Sequence, residues 1–133
     1  MHLILCIDER DGISFCGRRL SSDKALTHYI QKLCMGKRLW MDAYSAALFP
    51  REQICVDPDF QRKAGAGDYC FLETAEFLPE YPNLESVVLC CWNRRYPATV
   101  RFPRSLLKHM RLQETVDFPG NSHDEITVER YTV

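Results

Sequence analysis

Residues Leu3-Ile-Leu-Cys-Ile7 are apolar at every position, and Asp8-Glu-Arg-Asp11 follows at once. A strand with one wet face alternates apolar and polar residues. A short run that is apolar throughout belongs to a strand covered on both sides, as in the parallel sheets of α/β proteins. This feature demands a layered fold with material on each face of a central sheet.

The rest of the chain supplies that cover. Ser22 reads as an N-cap, and Asp23 suits the positive end of the helix that follows. Leu26, Tyr29, Ile30 and Leu33 form its apolar stripe, and Gly36 stops it. Residues 38–41, 53–56 and 68–72 read as strands. Between them, Asp42 caps a short helix before Pro50, and Asp57-Pro58 predicts a helix that ends near Gly65. Residues 8–22 read as a loop and 73–78 as a helical turn. From Ser86 the pattern becomes strand-rich. Strands are predicted at 86–92, 96–100, 113–117 and 126–131, with a short helix at 104–110. The reading is a three-layer α/β fold, whose mixed, mostly parallel sheet has an antiparallel C-terminal edge. It treats residues 1–133 as one domain.

Composition narrows the function classes. The net charge of −1 gives no general attraction to nucleic acid or anionic lipid, although a local basic patch remains compatible with it. A nucleic-acid partner is therefore not expected. No apolar run approaches about 20 residues, so no membrane span is predicted. The N-terminus lacks signal-peptide character, and the cytoplasm is the expected address. The seven cysteines are odd in number and show no Cys-x-x-Cys. They read as reduced core thiols, with no metal site. Cys16 beside Gly17-Arg18-Arg19 is either a thiol of lowered pKa or a loop cysteine without a role. Asp8, Glu9 and Asp11 form a solvated acidic turn or a hard-cation site. Arg94-Arg95 between Trp92 and Tyr96 is a hairpin turn or a small base-stacking cluster.

Several segments, in order, resemble the dihydrofolate reductase family. The opening strand followed by Asp11-Gly-Ile13 is similar to that family's first strand and turn. Gly17-Arg-Arg-Leu20 and then Asp23 resemble its Gly-x-Leu loop and the acidic residue opening its first helix. Gly36-Lys-Arg-Leu-Trp-Met41 resembles the strand ending in Met-Gly-Arg, and Pro50-Arg51 its Pro-Gly-Arg. Phe77-Leu-Pro79, the strand at 87–91, Phe102-Pro103 and two final strands follow its C-terminal layout.

The resemblance implies a role for Asp23 in binding and protonating a pterin-like ring. The alternative is a carboxylate that only favours the helix dipole. It also implies substrate contacts at Arg51 and Thr27, and cofactor contacts at Ser45, Tyr44 and Thr74. Against these stand a surface arginine at Arg51 and simple helix capping by Ser45 and Asp42. The departures bear on the cofactor, which would be NADPH in the family. Its basic turn after Met41 is here Asp42-Ala43-Tyr44, and its glycine pair after the fourth strand is Glu73-Thr74. A carboxylate beside a pyrophosphate opposes binding. The segment between Val56 and Asp68 is too short for a further strand and helix. The leading expectation is a divergent dihydrofolate reductase-like domain without the standard reductase activity. It would keep a pocket for a small molecule, pterin- or nucleotide-like, or an interaction role. The alternative is a reductase of a pterin-like substrate with an altered NADPH site. The sequence leaves the resident cofactor and oligomeric state open.

Overall fold

The computed structural model describes residues 1–133. Its centre is a seven-stranded sheet in the order β5-β4-β6-β1-β7-β10-β9. The strands are β1 (His2–Ile7), β4 (Leu39–Met41), β5 (Cys55–Val56), β6 (Tyr69–Phe71), β7 (Ser86–Cys91), β9 (Arg111–Phe118) and β10 (Ile126–Thr132). β5, β4, β6 and β1 are mutually parallel, as the alternation of strands with helical segments predicted, and β7, from the strand-rich half, also pairs parallel to β1. β10 returns antiparallel to β7 and β9 antiparallel to β10.

The all-apolar run behaves as expected. Leu3, Ile4 and Leu5 are all 0% exposed and serve opposite faces. Ile4 joins a cluster with Leu26 and Ile30 of helix α1 (Lys24–Leu33), while Leu3, Leu5 and Ile7 pack with Phe60 and Phe102 on the other side. Helices α1 and α2 (Ala43–Ala46) cover one face. The single turn α3 (Phe60–Lys63) and the chain around Phe77 and Leu106 cover the second.

Six expectations need correction. Residues 8–22 are not all loop. Strands β2 (Gly12–Phe15) and β3 (Arg18–Arg19) make a hairpin, and β8 (Val100–Arg101) joins it in a separate three-stranded sheet. The hairpin turns at Cys16 and Gly17, both at positive φ (47° and 77°), the conformation of a two-residue primed turn. Of the strand predicted at 96–100, only Val100 is extended in a ladder, because the main chain at Tyr96 is held instead by Asp8. Helix α1 is capped by Asp23 rather than Ser22, since the Asp23 carboxylate accepts the Ala25 and Leu26 N–H groups. Asp57 does not open α3. It accepts the Asp59 N–H at 2.8 Å in a local turn, and the helix starts at Phe60. Residues 73–78 form bends without a helix, and 104–110 contain only a 3-10 turn at Arg104–Leu107.

No helix is long and apolar enough to cross a membrane. Of the seven cysteines only Cys16 is exposed. Burial pushes the Cys34, Cys70 and Cys91 thiols up to about 12. Because the thiolate is the reactive form, a native-state titration with a colorimetric thiol reagent should show one fast thiol. Cys16→Ser should abolish that phase, whereas two or more fast equivalents in this variant would contradict the burial pattern.

Candidate functional site

The parallel strands all end at one edge of the sheet, the edge at which open α/β folds bind ligands. Two polar clusters lie among the segments that leave it.

The first is built on Asp23. The side chain is fully shielded from solvent and accepts hydrogen bonds from every side. Oδ1 takes the Ala25 and Asn121 N–H groups at 2.8 and 2.9 Å. Oδ2 takes the Ser122 N–H at 2.8 Å and the His123 ring at Nδ1, 2.9 Å away. Burial alone would raise this carboxyl. The donors from Asn121, His123, Ser122 and Ala25 outweigh it and hold the group well below the usual carboxylate range. The His123 ring stacks on Trp92 at 4.6 Å, and its Nε2 meets the Ser21 and Tyr96 hydroxyls at 3.0 Å each. Gly120 is required beneath them, because a Cβ there would lie 2.6 Å from the His123 carbonyl oxygen and 2.8 Å from Asp23 Oδ2. Asp23 therefore joins the start of α1 to the β9–β10 connection. Trp92 is buried against His123 and is not free to stack a base beside Arg94 and Arg95, while Tyr96 is tied to the same ring by its hydroxyl and is half-buried.

The second cluster is built on Glu73, which follows β6 and is buried. Its carboxylate accepts the Ser45 hydroxyl at 2.7 Å and both nitrogens of an Arg19 fork, Nε at 2.9 Å and an NH2 group at 3.0 Å. The Glu73 contact raises the Arg19 guanidinium above its usual value. The Tyr44 ring lies under Arg19, 4.3 Å from the guanidinium carbon. Asp42 caps α2 by accepting the Ser45 N–H at 3.0 Å. Ser45 and Tyr44 thus come together with Glu73 and its chain neighbour Thr74, but around an internal carboxylate.

Two adjoining cavities lie along one face of α1 and share His28 and Gln31. One, of about 430 Å³, is bordered by Asp23, Thr27, His28, Gln31 and Leu48. The Thr27 hydroxyl donates to the Asp23 carbonyl at 3.1 Å. The other, of about 550 Å³, has an apolar floor of Leu39, Phe49 and Ile54 and a rim of His28, Lys32, Lys37 and Glu52. Arg51 is exposed and borders neither. The acidic turn is consumed locally. Asp8 accepts three main-chain N–H groups, and Asp11 holds Arg104 through two contacts of 2.9 Å.

Sequence reasoning missed His123 and Arg19. His123 is 100 residues from Asp23 along the chain, and Arg19 is 54 from Glu73. No local spacing signals either pair.

Together these features define an α/β sheet protein with its polar side chains gathered at the carboxyl edge of the parallel strands. No family model matches the sequence, and no curated protein does. The structure is similar to a dihydrofolate reductase from Enterococcus faecalis complexed with NADP(H) and RAB-propyl. The TM-score is 0.68 and the identity 11%, over 98% of this chain and 94% of that one. The fold is dihydrofolate reductase-like.

Proposed function

We propose that this chain keeps the dihydrofolate reductase fold as a small-molecule-binding protein and does not use NADPH. One observation carries the reading. The buried Glu73 carboxylate takes the Ser45 hydroxyl and the Arg19 fork, the donors that a cofactor phosphate would need. A phosphate site depends on free N–H groups, glycine backbone and basic side chains. Here the basic side chain is neutralised, the α2 cap is supplied by Asp42, and the glycine pair is replaced. The residues present do not fit the cofactor. Each missing charged contact is worth about 1.5–3 kcal/mol. Two or three of them weaken binding by several powers of ten, at about 1.4 kcal/mol per tenfold.

The adjoining cavities along α1 support the binding role. The larger lies within the range of about 300–1,000 Å³ usual for ligand pockets. Its apolar floor and cationic rim suit a compact ligand with a flat apolar body and one anionic group.

The competing reading is an NADPH-dependent reductase of a pterin-like substrate. Its support is that Ser45 and Arg19 converge on a single anion, a donor pair that would grip phosphate if Glu73 withdrew. The test is NADPH absorbance followed with dihydrofolate, beside a thermal-shift panel of NADPH, folates and aromatic carboxylates. The expected result is no turnover and no shift with NADPH. Turnover near 1 per second or above, the ordinary enzymatic range of roughly 1–10³ per second, would establish the reductase instead.

A further inference from the structure

A near-zero net charge conceals a segregated one. Residues 8–19 and 92–104 carry seven arginines, no lysine and three acidic residues. The remaining residues carry ten cations against fifteen anions. The topology brings the two arginine-bearing segments together. Gly12 pairs with Arg101 and Ser14 with Val100 in the small sheet, Glu9 N–H donates to the Arg94 carbonyl at 2.9 Å, and Cys16 N–H reaches the Thr99 hydroxyl at 2.9 Å.

The acids do not cancel this field. Asp8 is buried and turned onto main-chain N–H groups, Asp11 is engaged by Arg104, and Glu9 stands 3.9 Å from Arg95. Arg19 is held by Glu73. Arg10, Arg18, Arg94 and Arg101 remain exposed and without an ion pair, bordered on the Asn93 side by Asp124 and Glu125. Among them two large apolar residues stand open to water, Phe15 at 45% exposure and Val100 at 43%.

We propose that the β2–β3–β8 sheet and the adjoining loops bind single-stranded RNA or DNA, through phosphates on Arg10, Arg18, Arg94 and Arg101 and a base stacked on Phe15. Arginine alone, with no lysine, suits bidentate phosphate contact. An exposed aromatic beside it suits a base, whose flat face needs no sequence-specific partner. A purely acidic chain such as polyglutamate would use the arginines but would leave Phe15 without a role. The surface adjoins the Glu73 cluster through Arg19 of β3, but the four arginines and Phe15 that the proposal uses belong to neither the Asp23 nor the Glu73 cluster, so its test does not depend on the small-molecule reading.

The experiment is fluorescence anisotropy of a labelled single strand of about 16 nucleotides. RNA and DNA are measured in parallel, with polyglutamate of equal charge as competitor. Four phosphate contacts predict that binding weakens about 50-fold between about 50 and 200 mM salt, from a slope near −0.7 per contact. Arg94→Ala/Arg101→Ala should weaken binding and flatten that slope by about 1.4. Phe15→Ala should weaken binding about tenfold at unchanged slope. Arg62→Ala on α3 should change nothing. Thermal melts confirm that each variant is folded. No binding at low salt, or binding indifferent to the Arg94/Arg101 and Phe15 changes, overturns the proposal. Equal competition by polyglutamate also overturns it, in favour of an acidic protein partner.

Discussion

Asp23→Ala should destabilise the protein by about 3–5 kcal/mol at neutral pH, since it leaves several buried donors without their acceptor at about 1–3 kcal/mol each. For a chain of this size the melting temperature should fall by about 10–20 °C. The loss has several parts. The α1 cap disappears, the Asn121 and Ser122 N–H groups lose their acceptor, and His123 keeps a buried Nδ1 with only the Ser122 hydroxyl at 3.2 Å. Asp23→Asn should fall between wild type and Asp23→Ala, because one amide oxygen cannot serve donors on both sides. The wild-type contribution is also pH-dependent. The folded-state pKa lies below the unfolded value of about 3.9. The stabilisation is therefore complete above pH 4 and is lost as pH falls through the folded value. Urea unfolding at pH 7 and at pH 3 measures both effects, and the gap between wild type and Asp23→Ala should narrow at the lower pH. A loss under about 1 kcal/mol at pH 7 would mean that Asp23 does not join the two segments.

Glu73→Ala should cost about 2–4 kcal/mol, less than a fully buried pair because the Arg19 side chain is 23% exposed. It strands a guanidinium and the Ser45 hydroxyl together. Arg19→Ala made in the Glu73→Ala background should add little, giving a coupling of about 1–3 kcal/mol in a double-mutant cycle. Additive losses would show that the two side chains act separately. The same variant tests the internal-anion reading. Pyrophosphate should raise the melting temperature of Glu73→Ala but not of the wild type, because only the variant offers Arg19 and Ser45 to an outside anion.

The sheet was legible because its determinants are local. The unbroken apolar character of residues 3–7 requires cover on both faces, and the α1 stripe from Leu26 to Leu33 provides one cover at helical spacing. The β2–β3 hairpin escaped because it is a ribbon of a few residues turning through Cys16, without the Asn-Gly signature that usually marks such a turn. Glu73 was recognised as a bulky, wrongly charged residue for a phosphate seat from its place after the fourth strand. Which groups would neutralise it was not legible. Arg19 and Ser45 reach it only after the hairpin and α2 fold over the carboxyl edge.

Asp23 shows the same division. Its place at the start of α1 follows from the periodicity behind it. Its saturation by Asn121, Ser122 and His123 follows from the return of β10 beside β7, which brings a connection 100 residues away onto the helix terminus. Local periodicity and capping set the elements, since they act within a few residues. The charges are partnered or left free by strand order, since Coulomb and hydrogen-bond contacts depend on distance through space. A sequence that sums to −1 therefore folds with one arginine-rich end.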